Sequence, residues 1–374
     1  MNKTDQTLRR SLMTRCRQMV VKAGTRLLTD PARINELVDG IAAIRARGIR
    51  VLLVSSGAVG MGMAQLGLKK RPRELAQVQA LAAIGQCRLM AIYQEVCARR
   101  NFHTAQLLLT AADLRSRKRY LNVMNCINAL WEKDVLPIVN ENDPVSIDEL
   151  KFGDNDFLAG LLATLTGSDL TVILTTESGL RERDTEGNLG ARIPVVRKFD
   201  AALRAMAGGT DNSEMSIGGM ASKLKAAELV TASGDYLMVA DGREPDILKK
   251  ILAGEDVGTL FVPGADRMPG HKRFIRFFAR SAGTVTVDAG AARALCGKGG
   301  SLLPSGVTAV SGSFNRGDTV DVVAPDGKVI ARGLVNYSAA DCLRLKGFHS
   351  AELIKLLGHT ADQEIIHRDN LTVV

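Results

Sequence analysis

Residues 135–156 read VLPIVNENDPVSIDELKFGDND, a short apolar run from Val135 to Val139 followed by a polar stretch from Asn140 to Asp156. The apolar run, bounded by turn residues, reads as a buried strand. Beyond it stand five carboxylates before Asp156 (Glu141, Asp143, Asp148, Glu149 and Asp154), with three Asn side chains among them. Carboxylates can take an ammonium and amides a polar tail, so the stretch can hold a small zwitterion. On composition alone a solvated acidic loop is the plainer alternative. In open α/β sheets, however, ligands bind at loops leaving the carboxyl ends of strands.

Outward from this stretch the same unit repeats. Apolar strands are expected at 19–22, 51–54, 105–109, 135–139, 170–174 and 236–240, with helices between most of them. Ile34, Leu37, Val38, Ile41 and Ile44 recur at helical spacing and stop at Gly48, and a longer helical pattern covers 75–97. Such alternation implies an α/β fold, a mostly parallel sheet sandwiched by helices, over residues 18–262. After 262 the style changes. Residues 263–280, PGADRMPGHKRFIRFFAR, read as a Pro- and Gly-bearing cationic linker. Short alternating strands follow at 284–288, 307–311, 319–323 and 329–334, with an Asp326-Gly327 hairpin turn between the last two. Helices near 339–345 and 351–357 lead to a final apolar pair, Ile365–Ile366. Residues 281–374 are therefore expected to form a separate small mixed β-barrel.

Composition narrows the class. The chain has 374 residues, 46% hydrophobic and 24% charged, enough for two domains of an ordinary soluble protein. No apolar run approaches the roughly 18 residues of a membrane span, and the first residues lack the apolar core of a secretory signal. Six cysteines (16, 87, 97, 126, 296, 342) show no CxxC pairing and read as reduced, mostly buried thiols. A cytoplasmic protein without membrane contact is expected. The net charge of +9 is concentrated in residues 1–20 and 263–280, each with five basic residues and one acidic. Residues 1–17 read as a basic tail; both segments offer charge to anionic ligands or RNA, with flexible solvated segments the plainer reading.

Four turns at strand ends carry chemistry. VVKAGT places Lys22 at the end of the first strand, and VSSGAVGMG (54–62) sets Ser55, Ser56 and Gly57 before a helix. LTTESGL (174–180) ends another strand, and SIGGMASK (216–223) opens a helix with Lys223 in its first turns. Free N–H groups at a helix start favour an anion, and glycines admit a ligand to the backbone. None of the four matches GxxxxGK[ST] or GxGxxG.

Taken in order, VVKAGT, SSGAVGMG, NENDPVS, FGDND and GGMASK resemble the amino acid kinase family, most closely its glutamate-phosphorylating members of proline biosynthesis. The resemblance runs from Met19 onward, and SLLPSGVTAVSGSFNRGDTVDV (301–322) resembles a PUA domain. It implies Mg²⁺-assisted transfer of the γ-phosphoryl group of ATP to the side-chain carboxylate of L-glutamate. By this resemblance Lys22 contacts the transferring phosphate, Lys223 stabilises the β/γ region and Asp156 orients both lysines. Ser56, Asp143 and Asn155 fall on the glutamate pattern. Lys22, Thr175, Thr176, Ile217, Gly218, Gly219, Met220, Ala221, Ser222 and Lys223 fall on the ATP pattern, and no side chain is assigned to metal. A homo-oligomer, hand-off of product to glutamate-5-semialdehyde dehydrogenase and RNA contact through the PUA domain are further implications.

The chain departs from the family at Thr175-Thr176, where Thr-Asp is usual, at the charged run in GLRERDTEGN (179–188), at Ile217 and at Ala23. These changes concern the nucleotide side and leave both lysines in place. Two rival readings are another carboxylate or carbamate kinase of the same fold, and an RNA-binding PUA protein with a kinase-like scaffold. The NEND and GDND stretches with the PUA-like region argue against the first. The small domain's few aromatics, Phe314, Tyr337 and Phe348, argue against the second.

Overall fold

The computed structural model describes residues 3–28, 30–146, 154–183, 188–200, 203, 219–264, 266–348 and 362–374. The chain divides into two compact units, Met1–Leu114 with Lys118–Arg267, and Arg115–Arg117 with Met268–Val374. Along the chain come α1 (Lys3–Arg15), β1 (Gln18–Ala23), α2 (Pro31–Ala46), β2 (Arg50–Ser55), α3 (Ala58–Gln65), α4 (Leu75–Ala98) and β3 (Thr104–Leu109). Next are α5 (Ala111–Arg115), α6 (Arg117–Glu132), β4 (Leu136–Glu141), α7 (Asn155–Thr166) and β5 (Leu170–Thr175). Short strands β6 (Arg181–Arg183), β7 (Leu189–Arg192) and β8 (Val195–Val196) precede α8 (Met220–Ala232), β9 (Tyr236–Asp241), α9 (Ile247–Ala253) and β10 (Thr259–Phe261).

The main sheet runs β3-β4-β2-β1-β5-β9-β10-β8. Its neighbours pair in parallel except β10 against β9. Successive residues of a strand face opposite sides, yet Met19, Val20, Val21, Lys22 and Ala23 of β1 are all buried. Both faces of the sheet are therefore covered, which is why these strands appear in sequence as unbroken apolar runs. On α2 the positions expected to face inward, Ile34, Leu37, Val38, Ile41 and Ile44, are buried. Asp30 caps that helix by accepting from Ala32 N at 2.9 Å. Helix α4 is long and apolar enough to cross a membrane by length and composition, but Leu81, Leu89, Tyr93 and Val96 are buried within the unit.

The segment read as a basic tail is α1. Leu12, Met13 and Cys16 join the core, and Arg9, only 2% exposed, donates to Val257 O at 2.6 Å and Pro194 O at 2.8 Å. A buried arginine interrupts the apolar spacing, which hides the helix from a hydropathy reading. Of the cysteines, Cys16, Cys97 and Cys342 are buried, while Cys87, Cys126 and Cys296 are exposed; all six are free. Burial pushes each of the three buried thiols up to about 12, so they are inert.

In the second unit, β11 (Gly283–Val287), α10 (Ala289–Lys298), β12 (Val307–Gly312), β13 (Thr319–Val323), β14 (Val329–Leu334), α11 (Ala339–Leu345) and β15 (Leu371–Val373) build a five-stranded sheet in the order β12-β11-β13-β14-β15. It is mixed, with β11 and β13 parallel and the other pairs antiparallel. Its core holds Val285, Val287, Val320, Val322, Ala331, Ile365 and Ile366. Gly327, at φ 83°, makes the turn between β13 and β14. Within the segment read as a linker, residues 270–278 are helical and bury Phe274, Ile275 and Phe278 against β14 and β15. The helix expected at 351–357 lies outside the described residues.

Candidate active site

Strand β1 lies at the middle of the sheet, and Lys22 is its penultimate residue, in register with Val54 of β2 and Ile173 of β5. At the same carboxyl end α7 starts, its N-cap Asp154 accepting from Asp156 N at 3.3 Å. Asp156, in the first turn of α7, is fully buried. Its Oδ1 lies 2.6 Å from Lys22 Nζ, and its Oδ2 accepts from Lys223 Nζ at 2.8 Å. Lys223 comes from the first turn of α8, whose backbone approaches α7 closely: a Cβ added to Gly160 would stand 3.3 Å from Ala226. Both lysines are 6% exposed. Three elements distant in sequence thus converge on one carboxylate.

Burial alone would raise the Asp156 carboxyl; the charges of Lys22 and Lys223 outweigh it and hold the group below the usual carboxylate range. Its neighbour behaves in the opposite sense. Burial, and then the charge of Asp156, raise Asp154 to about 6 despite the pull of Lys22. Two ammonium groups are therefore fixed beside one shared carboxylate, at a place where the backbone leaves room. A Cβ added to Gly219, the residue before α8, would meet nothing within 4 Å, whereas one added to Gly24 would touch Leu174 O and Lys22 Nζ, both at 3.6 Å. The α8 N-terminus has no side-chain cap, so its N–H groups can serve an anion.

On the other side of Asp156 lies a polar cluster. Asn155 Nδ2 donates to Ser56 Oγ at 2.7 Å and to Asn140 Oδ1 at 3.0 Å. Asn140, the fifth residue of β4, is 3% exposed and donates in turn to Gln86 Oε1 of α4 at 2.9 Å. Ser56 follows β2 directly, and Gly57, at φ 101°, turns the chain into α3. Asp143 opens the short turn Asp143–Val145 beyond β4 and is partly exposed.

The structure brings Lys22, Asp156 and Lys223 into contact, and Ser56 with Asn155. Thr175 and Thr176 lie at the end of β5, their carbonyls accepting from Gly242 N at 2.8 Å and from the Arg243 guanidinium. Gly219, Met220, Ala221 and Ser222 lead into α8, whereas Ile217 and Gly218 lie outside the described residues. The sequence reading gives no individual role to Asn140 or Asp154, which it names only within the polar stretch, and does not single out Gln86 or Arg243. Asn140 stands inside the opening stretch, and Gln86 is a polar interruption of an apolar helix. Among the described residues no three His, Cys, Asp or Glu side chains form a metal cluster.

The amino acid kinase family model matches residues 17–241 and the PUA domain model residues 283–357. The chain is 44% identical over 376 residues to a glutamate 5-kinase of Chromohalobacter salexigens, covering 99% of both chains. It is 42% identical over 374 residues to that of Trichlorobacter lovleyi, covering 98% of this chain and 99% of the relative. Among solved structures, carbamate kinase from Giardia lamblia bound to AMP-PNP aligns with a TM-score of 0.48 at 17% identity, covering 67% of this chain and 99% of that one.

Proposed function

The chain belongs to the amino acid kinase family, and from that premise we propose that it transfers the γ-phosphoryl group of ATP to the side-chain carboxylate of L-glutamate, the first step of proline biosynthesis. The observation that carries this reading is the pair of buried lysines held on the two oxygens of Asp156.

A side-chain carboxylate with a pKa of about 4.3 is ionised at neutral pH, so the nucleophile needs no general base. One of its oxygens attacks the γ-phosphorus as the bond to the ADP oxygen breaks, giving L-glutamyl 5-phosphate and ADP. The obstacle is an anion approaching an anion, and preorganised positive charge is the remedy. Lys22 and Lys223 supply that charge, and Asp156 fixes both Nζ positions so that little reorganisation is left for the reaction itself. Gly219 leaves space for phosphate oxygens beside it. Ser56, Asn155 and Asp143 hold glutamate, Asp143 suiting the α-ammonium by charge.

Mg²⁺ at such sites keeps phosphate and water ligands and takes one or two carboxylates. Asp154 fits that demand: its Oδ2 is buried and lacks a well-aligned hydrogen bond. A Mg²⁺ held there with the nucleotide would supply positive charge against the phosphates. Purified protein with Mg-ATP and L-glutamate should form an acyl phosphate that hydroxylamine traps as the hydroxamate. D-aspartate, carbamate and N-acetylglutamate should give little. Equal turnover of N-acetylglutamate would assign the chain to a different carboxylate kinase.

A further inference from the structure

Helix α4 takes no part in the chemistry above, yet it sends three polar side chains towards the glutamate side at intervals of seven residues. Gln79 Nε2 donates to Ser146 O at 3.3 Å, Gln86 Oε1 accepts from Asn140 Nδ2 at 2.9 Å, and Tyr93 OH lies 3.0 Å from Ser55 Oγ. Seven residues is close to two helical turns, so the three share one face. Gln86 and Tyr93 are buried, as are Asn140 and Ser55. The helix is also clamped in place: a Cβ on Gly85 would stand 1.8 Å from Ala58 O and 2.4 Å from Gly62 N of α3.

The central link has a definite donor–acceptor sense. Glu141 N, a backbone N–H that can only donate, bonds to Asn140 Oδ1 at 2.9 Å. Oδ1 is therefore the acceptor edge of that amide, and the same oxygen takes the bond from Asn155 Nδ2 at 3.0 Å. The remaining Asn140 Nδ2 must donate, and Gln86 Oε1 receives it. A planar amide whose NH₂ is committed to Asn140 and Ser56 turns its carbonyl the other way. Asn155 thus presents an acceptor, and Ser56 Oγ, having accepted from Asn155 at 2.7 Å, keeps its own proton for a ligand.

We propose that Gln86 is a positioning residue: by accepting from Asn140 it holds in place the amide whose sense the Glu141 N–H fixes, so that Asn155 presents an acceptor to the α-ammonium and Ser56 a donor to a carboxylate. This rests on the glutamate reading above. The site is thereby tuned to a free amino group: a missing amine leaves the carbonyl unpaired, and an acylated nitrogen offers it one N–H without charge.

The test compares wild type, Gln86→Met and Gln86→Glu with L-glutamate and with glutarate, which lacks the amine, following ADP release together with hydroxamate. Gln86→Met keeps the length but removes the acceptor. It should raise the glutamate KM about tenfold, the scale of one buried hydrogen bond. Its kcat and ATP KM should stay within threefold, and the glutamate-to-glutarate ratio of kcat/KM should fall by a similar factor. Gln86→Glu retains an acceptor and should keep the wild-type ratio within threefold. In an Asn140→Ala background, Gln86→Met should change the glutamate KM no further, because its route is gone. An unchanged ratio in a folded Gln86→Met, or full additivity with Asn140→Ala, overturns the proposal. Should Gln86→Met fail to fold, Gln86→Glu decides: loss of the ratio there also overturns it. Wild type inactive on glutamate refutes the parent reading instead.

Discussion

Asp156 holds two lysines by two different oxygens, so each arm can be cut separately. Lys223→Met removes one of the two charges that the proposed mechanism aims at the transferring phosphoryl group. Its kcat should fall about 10²–10³-fold, as when one oxyanion donor is lost, with a smaller change in the ATP KM. Steady-state rates check this, and a near-native kcat would remove Lys223 from its role. Asp154 makes a prediction of the opposite kind. Its folded-state value near 6 lies above the ordinary 3.8, so folding favours its protonated form. That contribution is present below pH 4 and disappears as the pH rises through 6, leaving a buried charge that costs stability at pH 7 and above. Asp154→Asn should therefore raise the melting temperature at pH 7.5 and leave it almost unchanged at pH 4, while activity falls. Thermal melts at the two pH values decide it. A residue that destabilises the free protein but is needed for turnover fits a site built to receive a cation.

At the level of elements, the approach of α3 and α4 sets where Ser56 stands. Gly85→Ala would drive a methyl group into backbone atoms of α3, which cannot swing aside as a flexible side chain can. Overpacking of this kind costs roughly 1–3 kcal/mol, and the glutamate KM should rise along with it as the two helices part. Gly60→Ala is the control, since the nearest atom, Thr25 Cγ2, lies 3.7 Å away. Urea midpoints of both variants test the pair. Equal stability would mean that the two helices adjust freely. Elements of this unit were legible in sequence where burial is two-sided: β1, β2, β4, β5 and β9 read as apolar runs because every side chain meets protein. The short strands β8 and β10 were not, because two or three residues carry no period.

For the whole molecule, every residue assigned to phosphate or glutamate precedes 224, inside the first compact unit. A chain ending at Arg267 keeps the eight-stranded sheet and its core, so it should fold. Its kcat should remain within several-fold of the full chain. A loss beyond about a hundredfold, nearly 3 kcal/mol of barrier, in a monodisperse truncation would make the second unit part of the catalytic apparatus.

The order of turns along this chain was enough to show the family by resemblance, because each motif is local in sequence; the roles of the lysines came with that resemblance and stand as proposals. The small domain's strands 319–323 and 329–334 were likewise readable, their alternation and the Asp-Gly turn being short-range signals. The resemblance implied that Asp156 orients both lysines, but only the tertiary structure shows each lysine on its own oxygen of that buried carboxylate, since 134 residues separate the first two and 67 the last two. The same holds for α1, whose buried Arg9 finds its carbonyl partners some 248 residues away. It holds most strongly for the polarity of the Asn155 amide. An asparagine in a sequence is donor and acceptor at once. The NH₂ of Asn155 is turned to Ser56 and to Asn140, whose own amide is oriented by a backbone N–H at Glu141, contacts that exist only once the chain has folded.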